Sequence, residues 1–146
     1  MQKITLKTLL LFTVVSTLFF ACKKKNDQKS KTELLTQKEW FVSKYEEKTN
    51  NGSWVDEFPT WDACSKDDKY IFKTNNTLEV NEGATKCSPT DPQIIETIAW
   101  AFTDNETRIT INGSALIELL DENTFIISIT ETFNGITYYE RITFRH

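Results

Sequence analysis

The pair Asn134-Gly135, set between two long runs of alternating side chains, restricts the fold of this chain more than any other feature. Asn-Gly favours a two-residue hairpin turn, because both positions then take positive φ and match the twist of the flanking strands. Closing that turn pairs Phe133 with Ile136, Glu131 with Tyr138, Ile129 with Glu140, Ile127 with Ile142 and Phe125 with Phe144. These pairs share one face. The opposite face carries Ser128, Thr130, Thr132, Thr137, Tyr139, Arg141 and Thr143, with Ile126 its clearly apolar member. Side chains alternate across a strand, so a one-residue slip would scramble this separation.

The same reasoning extends upstream. A loop from Thr103 to Glu106 pairs Phe102 with Thr107, Trp100 with Ile109 and Ile98 with Ile111. A turn at Asn112-Gly113 sets Ile109 against Leu116, and one at Glu122-Asn123 sets Leu120 against Phe125 and Leu116 against Ile129. A loop at Asn75-Asn76 sets Phe72 against Leu78 and Tyr70 against Val80. One apolar face therefore continues through successive hairpins. The expected fold is all-β, an up-and-down antiparallel barrel of about eight or nine strands, with one of the first two irregular; closure removes reactive edges. Thr32 to Glu39 fits a short helical turn with Leu34 and Leu35 on its apolar side, and no long helix is expected after Trp40. Asn51, Asn75, Asn105 and Asn112 each open an Asn-x-Ser/Thr sequence, but all fall in expected turns, and turn chemistry accounts for them.

The N-terminus sets the compartment. Lys3 and Lys7 form a basic head, with no acidic residue before Asp27. An apolar run from Leu9 to Phe20 follows, interrupted by Thr13, Ser16 and Thr17, and it ends at Ala21-Cys22 before Lys23-Lys24-Lys25. These are the parts of a secretory signal, and the run falls short of the ~20 residues of a spanning helix. The junction resembles a bacterial lipobox, in which a small residue precedes a cysteine that becomes the lipidated N-terminus. Leu18 lies one place early for that pattern, and Phe19 and Phe20 are bulkier than usual. The resemblance implies residues 1–21 as signal peptide, a palmitate-type acylated Cys22, a tether over 22–31 and a folded domain over 32–146. Acyl chains at ~0.8 kcal/mol per buried CH2 would hold such a protein on a membrane. The run after Cys22 is basic, unlike acidic motifs that resemble surface-export signals, which points to the periplasmic face of the outer membrane and leaves the cell surface open.

Removing residues 1–21 from the 146 leaves 125, the length of one domain. The chain has 17 basic and 21 acidic side chains; loss of Lys3 and Lys7 leaves 15 against 21, a net charge of −6. That argues against nucleic acid, whose phosphates need clustered Lys and Arg. Lys23 to Lys31 is the basic cluster, read as a solvated linker, with contact along anionic headgroups as the competing reading. Cys64 and Cys87 read first as a disulfide in an exported chain, with roughly 3 kcal/mol of stabilisation by the chain-entropy account. No Cys-x-x-Cys occurs and the sole histidine is His146, so neither a metal nor a cofactor is expected.

Leu34-Leu35 before Trp40, the run Cys64-Ser65-Lys66-Asp67-Asp68-Lys69-Tyr70-Ile71-Phe72, the second cysteine Cys87, the hairpin from Trp100 to Ile111 and the final aromatic strand resemble the lipocalin-like domains of small Bacteroidetes lipoproteins. The likeness spans Leu34 to Phe144, and the stretch from Cys64 to Phe72 is its most specific part. It implies an up-and-down barrel with a cup for a small apolar ligand. Lipocalins generally carry Gly-x-Trp in the first strand and a late arginine over that Trp. Trp40 matches the Trp, Lys38 stands in place of the Gly, and Arg141 and Arg145, the available arginines, are turned away from the apolar face by the register above.

Three carboxylates, Glu118, Glu131 and Glu140, fall on the face assigned inward. Buried acids are costly unless paired. Glu140 is read as a polar anchor within an apolar pocket of Trp100, Ile109, Phe125, Ile127, Ile129, Tyr138 and Ile142, the make-up of many ligand sites; the competing reading is a Glu satisfied by Tyr138 or a water. Trp54, Phe58 and Trp61 lie in the first long loop, as a lid plug or as a contact for a ligand or partner. Asp67 and Asp68 suit a turn entering Tyr70 better than a metal site. No Ser or Cys has a nearby base, and nothing sets two Glu around a cleft, so the chain is not read as an enzyme. Two functions remain: a membrane-anchored carrier or sensor of a small hydrophobic ligand, or a non-catalytic envelope interaction module with a filled core, such as an assembly factor or inhibitor. A hollow of a few hundred Å3 favours the first; a core filled by Trp100, Phe125 and Phe144 favours the second.

Overall fold

The hairpin that anchors the sequence reading forms with the expected register. The computed structural model describes residues 28–146; the expected export signal, Cys22 and the start of the expected tether lie outside the described residues. Strand β8 (Thr124–Phe133) and strand β9 (Ile136–Arg145) pair from Phe133–Ile136 through Ile129–Glu140 to Phe125–Phe144. Asn134 and Gly135 both take positive φ, as that turn requires.

The preceding elements are α1 (Lys31–Thr36), β1 (Phe41–Thr49), β2 (Val55–Asp56), two short 3-10 turns at Phe58–Thr60 and Ala63–Ser65, β3 (Lys69–Phe72), β4 (Thr77–Asn81), β5 (Ile94–Thr103), β6 (Arg108–Ile111) and β7 (Ser114–Leu120). They form one nine-stranded antiparallel sheet in the order β2-β1-β9-β8-β7-β6-β5-β4-β3. Phe72 faces Leu78 and Tyr70 faces Val80, as the Asn75-Asn76 loop implied.

The closed barrel is not formed: β2 and β3 are the two borders of the sheet. Trp40, just ahead of β1, meets Tyr70 of β3 in an isolated bridge with N···O distances of 2.9 and 2.8 Å. Beyond that pair the free edge of β1 is taken up by its own downstream chain. Glu46 and Glu47 pair with Asp56 and Val55, and the Glu57 amide donates to the Tyr45 carbonyl at 2.8 Å. The seam stops at that single bridge, where β3 begins at Lys69 just after the 3-10 turn at Ala63–Ser65.

Three upstream registers differ from the sequence reading. The β5–β6 loop is Asp104 to Thr107, with positive φ at Asp104, Asn105 and Glu106, so Phe102 faces Ile109 and Trp100 faces Ile111. That slip is even, and the apolar face survives. At the next turn Asn112 alone takes positive φ and the Ile111 amide bonds the Gly113 carbonyl, which widens the loop by one residue. Ile109 then faces Ala115 instead of Leu116. A bulge between Ile117 and Leu119 restores Leu120 opposite Phe125, but before the bulge Leu116 faces Ser128 and not Ile129. Leu116, Glu118 and Leu119 are thereby turned to solvent.

The core lies on the concave face. Trp40, Phe125, Leu35 and Ile109 are fully enclosed, and Phe72, Leu78, Trp100, Ile127 and Phe144 complete it. Helix α1 closes one end: Ser30 caps it in a reciprocal box with Glu33, and its Leu35 carbonyl accepts the Trp40 indole N–H at 2.8 Å. The β7 register predicts opposite outcomes for neighbouring residues. Ala115→Asp should cost about 2–4 kcal/mol in urea unfolding, whereas Leu116→Ser should stay within about 0.5 kcal/mol. Equal costs would mean the wrong face has been assigned.

Candidate functional site

The concave face is mostly filled by interlocked rings. Phe125 stacks on Phe144 with centroids 5.4 Å apart, and Phe72 stands edge-on to both Trp100 and Phe125 at 5.8 and 5.9 Å. What remains is an apolar cavity of about 140 Å3, bounded by Tyr70, Phe72, Ile111, Ile127, Ile129 and Ile142 among others. Of the residues expected to line a pocket, Ile127, Ile129 and Ile142 do so. Trp100, Ile109 and Phe125 are packed into the core beside it.

Tyr138 and Glu140 do not border that cavity. They line a separate cleft of about 150 Å3 with Glu47, Thr49 and Glu131, toward the free end of β8–β9. Alternation keeps Glu140 on the same face as Ile142, but a pleat nearer the hairpin tip, where β5 to β7 no longer cover the sheet. Glu140 is therefore half-buried and Glu131 exposed. The polar anchor inside an apolar pocket is not the observed arrangement, and Glu118, turned out by the β7 bulge, takes no part. A larger hollow of about 440 Å3 beside Lys38, Glu39, Phe41 and His146 is a surface depression bounded by charged and apolar side chains.

Beside this cleft, which Lys48 also lines, the residue that sequence reasoning missed is Tyr45. Its hydroxyl donates to Glu47 at 2.6 Å. Burial, that hydrogen bond and the nearby Glu140 charge push the phenol well above its ordinary pKa, so it stays a donor throughout the neutral range. A bulge at β1 near Ser43 turns both Val42 and Tyr45 toward the concave side, which simple alternation would not allow.

The first long loop divides its aromatics between two faces. Phe58 and Trp61 pack against the core, with Trp61 5.4 Å from Tyr45, as a plug would. Trp54 lies on the convex side, where Lys48 and Arg141 sit over its ring at 4.8 and 4.5 Å. Arg141 also pairs with Glu46 at 2.8 Å, and Lys44 meets the other oxygen of that carboxylate at 2.6 Å. No arginine covers Trp40; the His146 ring lies against it instead, with centroids 3.8 Å apart.

Among the described residues no three His, Cys, Asp or Glu side chains stand gathered as a ready metal sphere. Cys64 and Cys87 form a disulfide with Cα atoms 5.1 Å apart. No protein-family model, curated protein or solved structure matches this chain.

Burial alone would raise the Glu46 carboxyl, but hydrogen bonds from Lys44 and Arg141 outweigh it and hold the group below its ordinary value. A depressed folded value contributes stability above the unfolded carboxyl pKa, ~4.3, which is lost as pH falls through the lower folded value. Glu46→Gln should therefore cost about 1–3 kcal/mol at pH 7 and progressively less toward pH 3, measured by denaturant midpoints. A cost that does not shrink in acid would rule out the ion pair as its source.

Proposed function

We propose that this chain is an exported lipoprotein, held on a membrane by acyl groups on Cys22, whose folded domain is a non-catalytic interaction module of the cell envelope. The segment from Lys3 to Cys22 supports export and anchoring, and the basic run after it favours the periplasmic face of the outer membrane. The lipocalin-like resemblance fits a meandering antiparallel sheet, although the sheet is open at the β1–β3 seam.

The observation that carries the functional reading is the filled interior. Trp40, Trp100, Phe125 and Phe144 occupy the space a carrier would keep empty, and the remaining 140 Å3 is below the ~300 Å3 at which ligand pockets begin. The apolar surface is displaced to the outside instead. At the tip of β8–β9, Phe133 is 69% exposed, with Ile136 and Tyr138 exposed beside it. A single residue of that kind means little, but a cluster on a projecting hairpin suits contact with another protein. The cavity supports one second reading: a ring-sized apolar guest, since a dry hollow of ~150 Å3 admits benzene.

The Cys22→Ser protein, purified from its own cells, tests these statements together. It should move to the soluble fraction with its thermal midpoint unchanged, and native mass spectrometry should show no retained lipid-sized mass. A retained lipid would restore the carrier reading, and a small apolar mass the second one. In the anchored protein a photo-reactive side chain at Phe133 should give a discrete protein adduct in cells, while one at Leu116 on the opposite face should not. Absence of any adduct at Phe133 would overturn the interaction module.

A further inference from the structure

The sheet is shorter in its middle than on either flank. β6 ends at Ile111 and β7 begins at Ser114, so their hairpin turns back partway along β5 and β8. β5 meets β6 only from Trp100 onward, which leaves Ile94 to Ile98 paired with β4 on one side and with no strand on the other. β8 meets β7 only from Ser128 back to Phe125, which leaves Ile129 to Phe133 paired with β9 alone. Two bare edges therefore border one gap above the Asn112-Gly113 turn. β5 and β8 are three places apart in strand order, roughly 14 Å at ~4.8 Å per strand, so the gap is two strands wide.

Backbone groups point into it from both banks. The Trp100 N–H donates to the Asn76 carbonyl at 2.9 Å on the β4 side, so alternation aims that of Thr97 into the gap. On β8 the two-residue turn makes Phe133–Ile136 and Glu131–Tyr138 the mutually bonded pairs, so Thr130 and Thr132 aim their N–H and C=O groups there too. Ile94 to Thr97 and Thr130 to Phe133 are all exposed. The apolar hollow of about 140 Å3 reaches the same place, since its walls include Ile111, Gly113 and Ala115 of the short hairpin and Ile129 of bare β8. No atom lies within 4 Å of where a Gly113 Cβ would stand. Alternation sets Glu96 beside Ile98 and Trp100, and Glu131 beside Ile129, on the concave side. One acid thus stands on each bank, and neither pairs with a Lys or Arg among the described residues.

We propose that this gap receives a β-hairpin of a basic partner protein, which completes the sheet between β5 and β8 and seats one apolar side chain in the hollow. The inference rests on the reading of the domain as an interaction module and adds the form of its partner. The width selects two strands over one. The hollow takes one side chain of Leu or Phe size, since ~150 Å3 holds a benzene ring. Glu96 and Glu131 select Lys or Arg on the strands beside them. A second copy of this chain is a poor occupant, because its own projecting hairpin would bring Glu131 and Glu140 against like charges. Main-chain bonds to the two edges supply affinity, and the hollow supplies specificity.

The probe is a cyclised hairpin peptide of about twelve residues, alternating Thr and Lys with one inward Leu, added to the full protein. Residue-resolved hydrogen exchange should show the Thr97, Thr130 and Thr132 amides slowed together by about tenfold or more. Replacing the peptide's Lys by Glu, or its Leu by Gly, should weaken binding by about tenfold or more. Thr132→Pro removes a donor from the bare edge without touching a β8–β9 bond. It should weaken the peptide about tenfold and leave the thermal midpoint nearly unchanged. Protection of one edge alone, binding indifferent to Thr132→Pro, or no protection by the peptide overturns the proposal. In cells, photo-reactive side chains at Thr97 and Thr132 should give the same adduct as one at Phe133. An adduct at Phe133 without one at Thr97 would overturn the hairpin and leave the interaction module standing, whereas no adduct at any of the three removes both.

Discussion

Trp40 is the residue on which the rest of the domain depends. Its indole N–H takes the last turn of α1 by the Leu35 carbonyl, its ring packs 5.9 Å from Phe125, and its backbone makes the bridge to Tyr70 that brings the two ends of the sheet together. Helix cap, core and seam therefore meet in one side chain. A large aromatic with a single donor suits that position, because the ring fills volume while the N–H satisfies a helix carbonyl that would otherwise be orphaned.

How much was legible follows from how local the determining physics was. The β8–β9 pairing is fixed by Asn134-Gly135 and strict alternation, and every expected pair is present. The Asn75-Asn76 hairpin follows for the same reason, and the Glu122-Asn123 hairpin does so at Leu120–Phe125 until the bulge shifts Leu116 from Ile129 to Ser128. Asn112-Gly113 looks like the same signal, yet there only Asn112 adopts positive φ, and one extra loop residue moves Leu116 to solvent and Ala115 inward. Composition alone does not separate those two turns. The disulfide was readable from compartment logic. The open seam was not, because the border strand Val55-Asp56 carries almost no strand pattern of its own, and β3 meets the β1 end of the sheet at the Trp40–Tyr70 bridge alone.

The candidate site shows the same division. Ile127, Ile129 and Ile142 belong to a hollow because alternation puts them on the concave face. Glu140 shares that face but not that hollow, since its depth depends on how far the neighbouring strands extend, which no single-strand pattern encodes. Tyr45 was missed because the bulge near Ser43 reverses its expected side. Trp100 and Phe125 were expected to line a pocket; instead their large rings pack into the core and fill the space beside the hollow.

The short borders of this sheet have a consequence for the protein among its own copies. An open sheet ordinarily presents unpaired amides and carbonyls along two full strands, and such edges template polymerisation. Here one border strand is two residues long and the other four. A second molecule could add only a few hydrogen bonds at either margin before running out of partner. Shortness thus gives the domain the resistance to edge-to-edge growth that a sealed cylinder would have given, while leaving the seam unsealed.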